Sequence, residues 1–168
     1  MEALAKNDGG KTPLYQASVH GIIPIVKLLL NNGAKATYGR NNSSLHVAAE
    51  FGDIELIEAL VSHNADVDEK GSHSLTPLGL AVEEGQCASV RKLLECGAKT
   101  DFPGLQSPIH IAADNDHLEI VKELLKHNAK IDITDEQGTT ALHVAAMNGK
   151  ITDFFVFRKL DMKSLPIL

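Results

Sequence analysis

The fold class that this sequence predicts is an all-α solenoid of stacked helix-turn-helix units. Three observations predict it. A seven-residue motif recurs five times at near-constant spacing, a turn residue follows each copy at a fixed offset, and runs with helical periodicity follow the turns. The motif copies are Thr12-Pro-Leu-Tyr-Gln-Ala-Ser18, Ser43-Ser-Leu-His-Val-Ala-Ala49, Thr76-Pro-Leu-Gly-Leu-Ala-Val82, Ser107-Pro-Ile-His-Ile-Ala-Ala113 and Thr140-Ala-Leu-His-Val-Ala-Ala146. Their starts are 31, 33, 31 and 33 residues apart.

Each motif reads as the first helix of a unit. Thr or Ser at its head is a helix cap, and Pro13, Pro77 and Pro108 follow at the first helical position, where no N–H is needed. Ala17, Ala48, Ala81, Ala112 and Ala145 are small enough to let paired helices approach closely. Nine residues after each start stand Gly21, Gly52, Gly85, Asp116 and Gly149, placed for a left-handed turn. Asp116 departs from glycine at a small expected cost, because Asp tolerates that conformation better than most residues. Second helices follow at Ile25–Leu30, Ile54–Val61, Val90–Leu94 and Leu118–Leu125. In one of them Ile54, Ile57, Leu60 and Val61 share a face while Glu55 and Glu58 point outward. In another, Leu118, Val121, Leu124 and Leu125 face inward, and Glu119 with Lys122 and Glu123 with Lys126 form weak i,i+3 pairs. Each unit closes on Asn32-Gly-Ala34, Asn64-Ala65, Cys96-Gly-Ala98 or Asn128-Ala129.

These five registered copies resemble the ankyrin repeat family, whose period is about 33 residues and whose signature is Thr-Pro-Leu-His-x-Ala. The resemblance spans roughly residues 7 to 150. It implies an ankyrin repeat stack with β-hairpin fingers between helix-turn-helix units, and a role in binding proteins. The alternation of 31 and 33 then falls in the fingers, two of which are expected to be shorter than the other two. Asp135-Glu-Gln-Gly138 is a good turn sequence, whereas Gly71-Ser-His-Ser-Leu75 lacks the glycine that the family places before its Thr. We expect an array over residues 1–150, with repeats starting near 10, 41, 74, 105 and 138, and a divergent apolar cap or tail over 151–168. The array begins inside a repeat, with Glu2 to Lys6 as a helical remnant. In the tail Asp153 falls on an expected apolar position and Phe154-Phe-Val-Phe157 is apolar all round. Three readings of it stay open: it folds back on the last repeat, it meets a partner, or the chain belongs to a longer array.

Composition bounds the function. The chain has 168 residues, 43% of them hydrophobic and 23% charged, as in ordinary globular domains. Lys and Arg number 16 against 22 Asp and Glu, a net charge of −6, which argues against a phosphate-driven nucleic-acid binder. No apolar run reaches the roughly 20 residues of a membrane span, and the N-terminus lacks a signal-peptide core. A cytoplasmic or nuclear protein is expected. Cys87 and Cys96 lie nine residues apart on one expected helix, about 13 Å, too far for a disulfide. Both are read as reduced and structural.

No motif carries catalysis. The sequence has no H-E-x-x-H, C-x-x-C, G-x-S-x-G or complete phosphate loop, and Gly9-Gly-Lys-Thr12 reads as a turn before a helix cap. No enzyme, cofactor or metal site is expected. The resemblance implies that His46, His110 and His143 are structural, bonding at the finger base and to the neighbouring repeat. His63 and His127 close second helices, where positive charge suits the dipole.

The resemblance implies that a protein partner binds the concave face, built from finger tips and the exposed side of the first helices. By position these are Glu50 with Phe51, Glu83 with Glu84, Asp114 with Asn115, and Met147, plus Tyr38, Arg40, Leu75, Phe102 and Leu105 in the fingers. The acids form a ladder suited to a partner with a basic surface, with exposed apolar residues as anchors. Lys27, Arg91, Lys92, Lys122 and Lys126 are expected on the opposite, convex side. A non-catalytic protein-protein interaction module, acting as scaffold, adaptor or inhibitor, is the function read first. The alternative is a substrate-recognition fragment of a larger multidomain effector, such as a ubiquitin-ligase receptor. A monomer is expected unless the apolar C-terminal end mediates association.

Overall fold

The computed structural model describes residues 11–36, 43–102 and 107–150. Among them are nine α-helices: α1 Pro13–Val19, α2 Ile23–Asn31, α3 Ser44–Phe51, α4 Ile54–Ser62, α5 Pro77–Glu83, α6 Cys87–Glu95, α7 Pro108–Asp114, α8 Leu118–Lys126 and α9 Ala141–Met147. None of the described helices is long and apolar enough to cross a membrane. The chain divides into two compact units at Ala98 and Lys99.

Capping chemistry sets the helix starts. Thr12 Oγ1 accepts from Tyr15 N at 3.1 Å and Thr76 Oγ1 from Gly79 N at 3.2 Å, each ahead of a proline at the first helical position. Asp53 caps α4, accepting from Leu56 N at 2.9 Å, a cap that the motif spacing did not mark. Gly52 has φ +75°, and a Cβ there would lie 2.6 Å from the Gln86 side-chain amide oxygen, which would have to shift. Asp116 adopts φ +62° in the glycine slot, as the exchange anticipates. The ends of second helices use the left-handed region as well: Asn64 and Asn128 both have φ +62°. The N–H after each closes back on the helix, Ala65 to Leu60 O and Ala129 to Leu124 O, both at 3.0 Å.

In the first unit α1–α2, α3–α4 and α5–α6 are helical hairpins. Helix α3 packs between α1 and α5, and α4 between α2 and α6, so two rows of helices share one core. Ala17, Ala48 and Ala81 are buried where the first-row helices meet. Burial on α4 is wider than the expected stripe. Ile57 and Leu60 are buried as anticipated, Ile54 and Val61 only half so, and Leu56 and Ala59 are buried too. The reason is that α4 touches its own α3 and a second-row helix on each side. Second-row charges link these neighbours: Lys27 Nζ lies 2.7 Å from Glu55 Oε1, and Lys92 Nζ 2.6 Å from Glu58 Oε1.

In the second unit α7 packs against α8 and α9. Ile120 and Glu123 of α8 are buried alongside Val121 and Leu124. Buried Glu123 makes the expected i,i+3 pair. Its Oε2 lies 3.0 Å from Lys126 Nζ. Glu119 and Lys122 do pair at the surface, at 2.6 Å.

The expected β-hairpin fingers are slighter than hairpins among the described residues. One is closed by a single antiparallel bridge, Thr134 to Thr140, around the Asp135–Gly138 turn. Asp135 Oδ1 accepts from Gln137 N at 2.9 Å and Thr139 N at 2.7 Å, and the Thr139 N–H above all holds its carboxyl below the usual range. The other is a 3₁₀ turn at Ser72–Ser74, closed by Gly71 N to Leu75 O at 2.8 Å. Lacking the family glycine, it places His73 at φ +54° and Ser74 at φ +59°. Left-handed backbone costs a non-glycine residue about 1–2 kcal/mol. Ser74→Gly is thus expected to stabilise the protein by about 1 kcal/mol, read as a higher denaturant midpoint. A lowered midpoint would show that the turn is unstrained. The two other expected fingers fall on 37–42 and 103–106, which, like residues 1–10 and 151–168, lie outside the described residues.

Candidate partner-binding surface

Every first-row helix ends in one or two side chains that precede a left-handed residue, and that geometry turns them outward. In the first unit these are Val19 and His20, Glu50 and Phe51, and Glu83 and Glu84. Phe51 is 63% exposed, and Glu83 and Glu84 are exposed, while Glu50 is half-buried. Because α3 packs directly on α5, Phe51 and the two glutamates occupy neighbouring helix ends. Gln86 holds these ends in register, its Nε2 donating to Glu50 O at 3.1 Å. Glu55 and Glu58 of α4 are spent on lysines, whereas no ion pair of the described residues engages Glu83 or Glu84. An exposed aromatic beside uncompensated acid presents both an apolar anchor and a directional field.

In the second unit Asp114, Asn115 and Met147 are exposed, Met147 at 80%. Asp114 Oδ1 accepts from Asn148 Nδ2 at 2.6 Å, and Asn115 Nδ2 donates to Ile111 O at 3.0 Å. Of the finger candidates, Phe102 is half-buried. Leu75 is half-buried at the finger base rather than at an exposed tip, because its carbonyl accepts from His46 Nε2 at 3.1 Å. Tyr38, Arg40 and Leu105 lie outside the described residues.

Two of the motif histidines, His46 and His110, tie one repeat to the next. His46 Nδ1 accepts from Ser43 N at 3.1 Å, so the proton sits on Nε2, which donates to Leu75 O. His110 Nε2 donates to Thr139 O at 2.9 Å in the same fashion. Burial lowers the His46 pKa from its ordinary value of 6.5, partly opposed by backbone hydrogen bonds at Leu75 and Glu69. His63 closes α4 by donating from Nδ1 to Ala59 O at 2.9 Å. No group of three ligating side chains among the described residues is placed to hold a metal. Cys87 and Cys96 are free thiols, and burial pushes the Cys96 thiol up.

What pattern reading missed on the surface is the apolar face of α2, where Ile22, Ile25 and Leu28 are exposed. The signal was present: its second-helix run is apolar at nearly every position, more than one buried stripe needs.

Rows of helical hairpins with exposed first-row ends define a repeat-type interaction module. The family model of ankyrin repeats in three copies matches residues 34–104 and 101–163, and the single ankyrin repeat model matches residues 9–38. The chain belongs to the ankyrin repeat family, whose repeats are protein-interaction modules. Among curated proteins it is 31% identical over 152 residues to the B-cell lymphoma 3 protein homolog of Mus musculus, covering 85% of this chain and 34% of that protein. It is 32% identical over 118 residues to ankyrin repeat and SOCS box protein 11 of Homo sapiens, 70% of this chain and 36% of the relative. It is 30% identical over 146 residues to the transient receptor potential cation channel subfamily A member 1 homolog of Caenorhabditis elegans, 84% of this chain and 12% of the relative. The chain thus spans about a third or less of the length of these relatives.

Proposed function

We propose that this chain is a non-catalytic protein-interaction module that binds a protein with a basic surface through its first-row helix ends and fingers, as scaffold, adaptor or inhibitor. The observation that carries this reading is Phe51, exposed beside Glu50 and one helix away from Glu83 and Glu84. Buried aromatic anchors dominate interface energies, and unpaired acid steers a basic partner during encounter. Residues 1–150 form the recognition array in this reading, 151–168 its cap or tail, and the setting is cytoplasm or nucleus.

Affinity capture followed by mass spectrometry supplies a binder for kinetic tests. The Glu83→Lys/Glu84→Lys double variant is expected to slow association and flatten its salt dependence. Phe51→Ala is expected to speed dissociation about tenfold or more. Kinetics unchanged in both variants would remove this surface from the account.

A second reading is favoured by the relatives whose names join ankyrin repeats to a SOCS box, proteins 11 of Homo sapiens and 9 of Mus musculus. In it the chain is the substrate-recognition fragment of a larger effector such as a ubiquitin-ligase receptor. Recovery of ligase components in the same capture supports it, and a lone ligand argues against it.

A further inference from the structure

One buried side chain ties the finger at 71–75 to the helix of the preceding repeat. His46 is 1% exposed, and its Nε2 donates to Leu75 O. The other ring nitrogen is equally committed: Nδ1 accepts from Ser43 N at 3.1 Å, with Ser43 Oγ 2.9 Å away. The finger's own bonds are short-range: Gly71 N to Leu75 O at 2.8 Å, Ser74 N to Gly71 O at 3.2 Å and Leu75 N to Ser72 O at 3.1 Å. They close a turn that holds His73 and Ser74 at positive φ, a conformation costly to any residue with a Cβ. The finger at 134–140 differs, because its left-handed residue is Gly138 and Asp135 binds the turn.

A proton on His46 does not fit the closed finger. On Nδ1 it would face the Ser43 N–H, donor against donor. Ser43 Oγ can accept it, but the buried Ser43 N–H then loses its partner and the cap of α3 opens. Charged neighbours do not offset this. Half-buried Glu69 bonds Ser43 through its carboxyl and His46 through its backbone, with Asp66 acting on it. On the helices packed against α3, Asp53 caps α4, Glu55 and Glu58 pair with lysines, and Glu83 and Glu84 stand at the far end of α5. Lys11 precedes α1 and His20 ends it. None of these is among the groups that act on His46.

We propose that the 71–75 finger is a proton-released latch: acid opens it locally and frees His46 as its imidazolium, while the helices of the unit stay folded. Opening relieves two left-handed residues and lets the ring take up a proton at its ordinary 6.5, which burial prevents in the closed state. The open fraction therefore grows as pH falls below 6.5, by up to about tenfold per pH unit until the lower, closed-state value is reached. Glu69 opposes this further down. Its carboxyl titrates above 4.5 in the closed form, so protonating it favours closure. Leu75 belongs to the recognition surface proposed above, and in that reading acid loosens the grip of this finger on a partner. The release itself is measured without a partner, so its failure and that of the binding surface are told apart.

Residue-level hydrogen exchange on the 168-residue chain, from about pH 7.5 to about pH 5, tests the latch. After correction for the intrinsic pH dependence of exchange, protection at Gly71, Ser74 and Leu75 is expected to fall about tenfold or more, while Ile57 and Leu60 of α4 keep theirs. His46→Gln preserves the reciprocal cap and an amide donor but takes up no proton, and its finger is expected to lose the pH dependence. His73→Asn removes the finger's own imidazole, tolerates the left-handed turn, and is expected to keep it. Constant protection at the three finger amides overturns the proposal. So does loss in step with α4, which marks global unfolding, or a slope that survives in His46→Gln. Should that variant fail to fold, the wild-type His46 ring signals decide: a ring that titrates while the finger stays protected refutes the latch.

Discussion

Replacing Leu60 by Ala is expected to cost about 2–5 kcal/mol of stability. Leu60 is fully buried on α4, the helix that touches neighbours in both rows of the first unit. Truncation removes three carbons, one methine and two methyls, from a site walled on several sides, so the gap cannot collapse easily. The transfer loss and the cavity therefore add. Leu28 is the control on α2: it is largely exposed, and Leu28→Ala is expected to change stability by less than about 0.5 kcal/mol in the monomer. Urea denaturation of dilute protein, followed by helical circular dichroism, measures both. Equal midpoint shifts for the two variants would mean that α4 is not the centre of the core.

His46→Ala is expected to cost on the order of 2–4 kcal/mol and to flatten the acid side of the stability profile. The ring leaves behind a buried Ser43 N–H and the Leu75 carbonyl, each of which loses its partner. The pH effect follows from linkage. The folded state holds His46 neutral, with a pKa below its ordinary 6.5. As pH falls below that value the unfolded chain takes up the proton first. Stability present above the ordinary value is therefore lost progressively down to the folded pKa, and levels off below it. Glu69 works in the opposite sense at lower pH. Burial raises its pKa above the ordinary 4.5, against a Ser43 hydrogen bond and with help from Asp66, so acid favours the folded form there. Comparing wild type with His46→Ala separates the two. Denaturant midpoints between neutral pH and the mid-acid range should fall for wild type more than for the variant. Parallel profiles would show that His46 titrates alike in both states.

Most cap positions and the turns were legible because they depend on local chemistry. Thr12 and Thr76 cap the helices they precede, whereas Ser107 makes no side-chain cap bond to α7, and Asp116 takes positive φ in the glycine slot. The histidine slots were legible only through the family resemblance, since a bond from residue 46 to residue 75 has no local signature. Burial of Leu56 and Ile120 was not read, because a single helical stripe describes a helix with one neighbour.

The candidate surface divides along the same line. Phe51, Glu83 and Glu84 were located by carrying the family's concave face over to the residues before each first-row turn, and all three are exposed. Leu75 was misplaced because finger geometry depends on His46, 29 residues away. By itself the sequence determined that this chain is a row of ankyrin repeats, since caps, turns and periodicity are short-range and repeat five times over. Only the tertiary structure decided which apolar side chains lose contact with water. Burial is a property of neighbours, and α2, identical in kind to α4, keeps Ile25 and Leu28 in solvent because no described helix packs against that face.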